Sequence, residues 1–183
     1  MDQDGGLSGA QVRLLIDQMQ KIWEDADVEV TSGRYGDRSR SGQALVSLRI
    51  LRIPPPPSSA RLEPTLAWVA LDEHGQLAPH LFVSLPAIKS IVYSAEYAGY
   101  PVRQLARGIH DELVARAAGR AAAHELGHFL LQRAGHQTEG LMRRAYALRD
   151  LLGDWLRPFQ VSANDRVAVR NEIAAIARAQ AAF

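Results

Sequence analysis

The stretch from about Val102 to Ala134 constrains this chain more than any other. Its pattern is helical almost throughout. Leu113, Val114, Ala117, Ala118, Ala121, Leu126, Phe129 and Leu130 give it an extensive apolar surface, so it belongs in a core. A break near Gly108 is expected to divide it into two helices. The remaining chain must supply elements that cover this stretch.

Upstream, residues 7 to 26 space Leu7, Leu14, Leu15, Met19, Ile22 and Trp23 as a helix, with Ser8 placed to cap it. A short strand is expected at 28 to 31 (VEVT), followed by a polar loop from Ser32 to Gln43. Residues 44 to 53 alternate as a strand until Pro54 to Pro57, which cannot join a sheet ladder and read as a stiff connector. A hairpin follows: strands at 66–71 and 77–85 around the turn DEHGQ. Residues 86 to 98 read as a helix opened by Pro86, and 141 to 153 and 162 to 180 as two more. The order predicts a single α+β domain spanning 1–183, in which a small mixed sheet packs on helices. At 183 residues the chain suits one core rather than two.

Composition excludes several classes. There is no cysteine, so disulfides and thiolate metal sites are ruled out, and any metal must be held by histidines and carboxylates. The net charge of +1 gives no global field toward nucleic acid or an anionic membrane. The start, MDQDGGLSGA, lacks a basic region and apolar run, and no stretch is long and apolar enough to span a bilayer. At face value the expectation is a soluble, cytoplasmic protein, or a secreted one if a leader has been removed, that binds neither nucleic acid nor membrane.

Within the long helix stands His124-Glu125-Leu126-Gly127-His128. Histidines four apart share a helix face, so both imidazoles reach one ion. Glu125 is turned by about 100° from His124 and flanks that ion as a base rather than a ligand. With six histidines in the chain, chance gives roughly 0.01 such spacings. Two histidines and a glutamate amid apolar residues are costly without partners or a metal. Zinc suits such ligands, with one position left for water. A third ligand must come from elsewhere: His136 follows Gly135, a helix-ending residue, and Glu139 and Glu172 are the alternatives.

The run HELGHFLLQRAGHQTEGLM, residues 124 to 142, resembles the zincin metallopeptidases, and within them the metzincin clan. That resemblance implies a zincin-like fold with an active-site helix, Zn2+ held by His124, His128 and His136, Glu125 as general base and proton shuttle, and Met142 as an apolar floor beneath the metal. It implies a peptidase acting on peptide or protein substrates. The clan's glycine and third histidine fall where this chain has Leu131 and Ala134, and His136 arrives two residues late. The helix is therefore expected to unwind early, near Gln132 or Arg133, with the chain reversing around Gly135. By fold analogy, the strand at 77–85 is expected to be the edge on which an extended substrate adds. The rival readings are a non-enzymatic zinc protein that binds or senses a partner, and a hydrolase of non-peptide bonds. An intact Glu125 argues against the first, because a structural site needs no base.

The other histidines carry less. His74 and His80 are expected to face solvent from the hairpin, and His110-Asp111-Glu112 to mark a helix start. Tyr93, Tyr97 and Tyr100 are candidates for a transition-state donor, and spacing selects none of them.

Overall fold

The computed structural model describes residues 6–33, 43–53 and 65–181. Most of the expected polar loop at 32–43 and the connector at Pro54 to Pro57 lie outside them. The first helix, α1 (Gly9–Trp23), opens on a capping box: Ser8 Oγ accepts from the Gln11 amide, and Gln11 Oε1 accepts from the Ser8 amide at 2.8 Å. A 3-10 turn, Glu24–Ala26, ends it. The expected strand at 28–31 does not form. The Val28 amide instead bonds Trp23 O and the Val30 amide bonds Gln20 Oε1, so this segment folds back on α1.

Three strands make a mixed sheet in the order β1 (Ser47–Leu51), β3 (Leu77–Ser84), β2 (Ala67–Leu71). β1 runs parallel to β3 with Ser47 opposite His80, and β2 runs antiparallel with Ala67 opposite Val83. The β2–β3 turn is tied by Asp72 Oδ1, which accepts from the amides of His74 and Gln76, and by Gly75 at φ +75°. β3 is thus the central strand, which overturns its expected role as a free edge; the edges are β1 and β2. β1 is also shorter than the run at 44–53 that predicted it.

β3 leads straight into α2 (Leu85–Ser94), capped by Ser84 with Pro86 in the first turn. α2 stops short of the expected Ala98. Ala98 (φ +51°) and Gly99 (φ +81°) turn a tight hairpin, β4 (Glu96–Tyr97) with β5 (Tyr100–Pro101), which draws these residues out of the helix. After a 3-10 turn at Val102–Gln104, one helix, α3 (Arg107–Leu130), continues unbroken through Gly108, which lies in its first turn. The downstream helix shrinks to α4 (Leu148–Leu152); α5 (Ala163–Ala181) closes the chain much as expected.

α3 is the central pillar, buried on nearly every side from Leu113 onward. Its alanines and Gly119 let α1 approach closely: a Cβ on Gly119 would lie 2.6 Å from the Leu15 carbonyl. Trp23 reaches across to donate its indole N–H to Ala123 O at 3.2 Å. Leu15, Met19, Trp23, Leu81, Val83 and Ile88 join α3 in one core. The fold is therefore α+β with a small mixed sheet. Among the described residues no helix is long and apolar enough to cross a membrane.

Candidate metal centre

One face of α3 is polar. Glu112, Arg116, Arg120, His124 and His128 follow at intervals of four, and between Leu113 and Leu130 Glu125 is the one charged or histidine side chain outside this stripe. The segment from 137 to 160 covers it. Arg116 donates to the carbonyl of Leu152 and to Asp154, and Arg120 donates to the carbonyls of Asp150 and Trp155. Both arginines thus fasten α4 and the turn at its C-terminal end. Burial, with Arg116 close by, lowers the Arg120 guanidinium to about 10, partly offset by Asp154 and Asp150; it remains a cation at neutral pH. Its guanidinium lies 5.0 Å from the Phe159 ring centre.

At the far end of the stripe three imidazoles converge. His128 Nε2 lies 3.0 Å from His124 Nε2 and 3.3 Å from His136 Nε2. His124 and His128 are buried and His136 is exposed, so this side of the cluster opens to solvent. The tautomers are set by the partners. His124 Nδ1 stands 2.7 Å from Leu141 O, and His128 Nδ1 stands 2.6 Å from Arg133 O. Carbonyl oxygens only accept, so each Nδ1 carries the proton and each Nε2 presents a lone pair inward. Lone pairs facing one another across 3.0 Å repel unless a cation lies between them. Three nitrogens each about 2.0–2.1 Å from one tetrahedral ion would be about 3.3–3.4 Å apart; the two separations from His128 Nε2 are close to this, and all three ligand atoms lie within 4.8 Å of one another. The carbonyls that hold Nδ1 are the outer-shell partners metal-binding histidines need. The donor set therefore fits a metal ion.

His136 reaches this point by a route the glycines do not dictate. α3 ends at Leu130; the Gln132 amide bonds Phe129 O and the Arg133 amide bonds His128 O. That is a Schellman ending, and its left-handed position is taken by Gln132 at φ +45°. The early unwinding was legible from the spacing. The pivot was not: it is Gln132, and Gly135 has no left-handed φ. Because the reversal starts one turn before His136, the two-residue delay is absorbed in a loop that also delivers the Arg133 carbonyl to His128.

Glu139 and Glu172 do not join the cluster. Among the described residues, the three histidines form the one group of His or carboxylate side chains placed to share an ion. Glu139 is exposed and lines a separate open groove with Arg143, Arg157 and Arg166. Glu125 is half-buried beside the histidines in sequence and close enough to Tyr146 to act on its phenol.

Met142 is buried against α3 at Gly127, where any Cβ would overlap its sulfur. The turn that carries it is fixed on both sides. The Gln137 amide bonds Met142 O at 2.7 Å and the Leu141 amide bonds Gln160 O at 2.9 Å. Gly140, at φ +72°, lies so close to Gln160 O that a Cβ would come within 2.6 Å of it.

Tyr146 was missed by the sequence. Its hydroxyl donates to Leu141 O, the same carbonyl that holds His124, and its ring lies edge-on to His124 at 5.9 Å and stacks on Phe159 at 4.6 Å. Burial raises the phenol above the ordinary tyrosine range; Asp150 and Glu125 add to this and Arg143 opposes it, so the group is a neutral donor. No regular spacing joins Tyr146 to the histidines, and only the buried i, i+4 arginines hinted that this face was covered by a folded loop. The three candidate donor tyrosines lie elsewhere: Tyr93 packs on His110 at the start of α3, and Tyr97 and Tyr100 are in the β4–β5 hairpin. His80 is exposed and bonds Ser47, and His74 lies in the exposed hairpin turn.

No family model, curated protein or solved structure matches this chain.

Proposed function

We propose that the protein is a zinc-dependent hydrolase of the zincin type that cleaves peptide bonds, with His124, His128 and His136 holding the metal. The observation that carries the reading is the convergence of three Nε2 atoms, two of them left with inward lone pairs by carbonyls at Nδ1, beside a glutamate at the next helix position. Three neutral imidazoles with no thiolate or carboxylate among them favour zinc over magnesium or calcium. When bound, zinc supplies a Lewis acid and brings the pKa of a water toward 7. The exposed side of the cluster, at His136, is where a substrate would enter.

The protein's own groups supply the rest. The Glu125 carboxylate accepts the proton of the attacking water and returns it to the leaving amine. The carbonyls of Leu141 and Arg133 keep His124 and His128 in the ligating tautomer. Met142 is buried against Gly127, on the turn of α3 that carries His124 and His128.

The test is a metal analysis of the purified protein together with Glu125→Gln assayed on a generic unfolded protein. The expectation is about one zinc per chain in both forms, and a hydrolysis rate lower by about 10²–10⁴ in the variant. A fully active Glu125→Gln would remove Glu125 from the mechanism. Zinc retained with no cleavage by the wild type would favour a non-enzymatic zinc protein.

A further inference from the structure

Asp165 lies in the first turn of α5, 4% exposed, more than twenty residues beyond the metal turn. Ser162 caps that helix, its Oγ accepting from the Asp165 amide at 3.1 Å. The Asp165 carboxylate is directed at the loop between α3 and the metal turn. Its Oδ1 accepts from Arg133 Nη2 at 3.1 Å and its Oδ2 from Gln137 Nε2 at 2.8 Å. These two partners bracket His136. Arg133 is also the residue whose carbonyl fixes His128 Nδ1, and the Gln137 amide is bonded to Met142 O. One buried carboxylate therefore grips both ends of the segment that presents the third imidazole.

We infer that Asp165 is a positioning residue for the metal centre, acting through Arg133 and Gln137 to hold His136, and secondarily the acceptor of His128, at the point where the three Nε2 atoms meet. This rests on the metal reading above. The physical need is specific. His136 is exposed and stands on an irregular loop, so unlike His124 and His128 it has no helix to fix its direction. A ligand on a loop loses affinity through the freedom of that loop unless its ends are fastened. Asp165 has the chemistry for this: a buried carboxylate whose two oxygens accept from two separate donors, one of them a guanidinium. Its carboxylate bonds run to Arg133 and Gln137, and its contribution through them is geometric.

The experiment is a double-mutant cycle on zinc affinity, measured by competition with a chromogenic chelator. Asp165→Ala is expected to weaken zinc binding by about ten- to a hundredfold, the usual range for outer-shell groups. In the His136→Ala background the same change should cost several-fold less, because the ligand it positions is gone. The remainder reports the Arg133 carbonyl on His128. Gln137→Ala, which removes a single arm, should show the same dependence on His136 to a smaller extent. Equal losses in both backgrounds would make Asp165 a general structural residue and overturn the inference, as would no loss at all. Should the wild type take up no zinc, the metal reading fails by itself, and amide exchange of the metal-free protein decides about Asp165. Faster exchange confined to residues 133 to 137 in Asp165→Ala supports the clamp, and unchanged exchange there refutes it.

Discussion

At Gly127 the backbone of α3 runs directly against the thioether of Met142, with the Trp23 ring 3.5 Å from where a Cβ would stand. The glycine inside His-Glu-Leu-Gly-His is therefore a packing requirement, on the same helix turn as the two candidate ligands. Helix propensity alone would favour alanine there by about 1 kcal/mol. The contact reverses the sign. Gly127→Ala must displace a side chain that is 2% exposed and bounded by a fixed turn, and overpacking of this kind costs about 1–3 kcal/mol. Met142→Ala makes room for the added methyl, so the double variant should be less destabilised than the two single losses together. Urea unfolding of the four proteins measures this. Additive losses would mean that the two residues do not meet. The sequence singled out Met142 by its place after the histidines, but Met142 stands fifteen residues beyond its glycine partner, too far for any local pattern to join them.

α3 shows which parts of an element a sequence reveals. Its apolar periodicity and its histidine pair were legible because both repeat with the helix. Its true start was not: a glycine in a first turn looks like a break, although the first amides of a helix have no partners to lose. Its end was half legible. A reversal was demanded by the distance between His128 and His136, yet glycine preference pointed to Gly135 and the chain turns at Gln132. Gln132 holds this conformation with its own side chain, which donates to Phe129 O at 2.8 Å. A variant comparison isolates the backbone term. Gln132→Gly and Gln132→Ala both lose that bond, but only alanine keeps the Cβ that opposes a left-handed residue, at a cost of about 1–2 kcal/mol. The glycine variant should therefore be the more stable by about 1 kcal/mol in chemical denaturation. Alanine more stable than glycine, the order found inside helices, would show that residue 132 is not left-handed in solution.

At the scale of the molecule, the centre is assembled from pieces that meet only there. His124 and His128 come from α3, His136 from the loop after it, the Leu141 carbonyl from the following turn, and the bonds of Gln160 and Asp165 from just before α5 and from its first turn. The helix face was readable because helical spacing is local; the covering segment was not, because it has almost no regular structure and is held by the buried Arg116 and Arg120. By that construction a metal held at the three histidines would cross-link α3 and residues 131–147, and its removal should be felt as lost stability. A ligand bound only by the folded chain adds about 2.7 kcal/mol when present at a hundred times its Kd. For a chain of this size each kcal/mol moves Tm by about 2–4 °C, so saturating zinc should raise Tm over the chelator-treated protein by about 5–11 °C. The sign of the pH dependence is fixed by the tautomers. Zinc needs each Nε2 unprotonated, so acid competes for the same lone pairs, and the zinc-dependent rise in Tm should shrink as pH falls. His128→Ala should lose the rise at every pH while keeping α3, since it removes the imidazole that both of the others face. Thermal scans of wild type and His128→Ala, with zinc and with chelator across mildly acidic to neutral pH, measure all of this at once. A zinc-dependent rise of equal size in His128→Ala would place the metal elsewhere in the molecule.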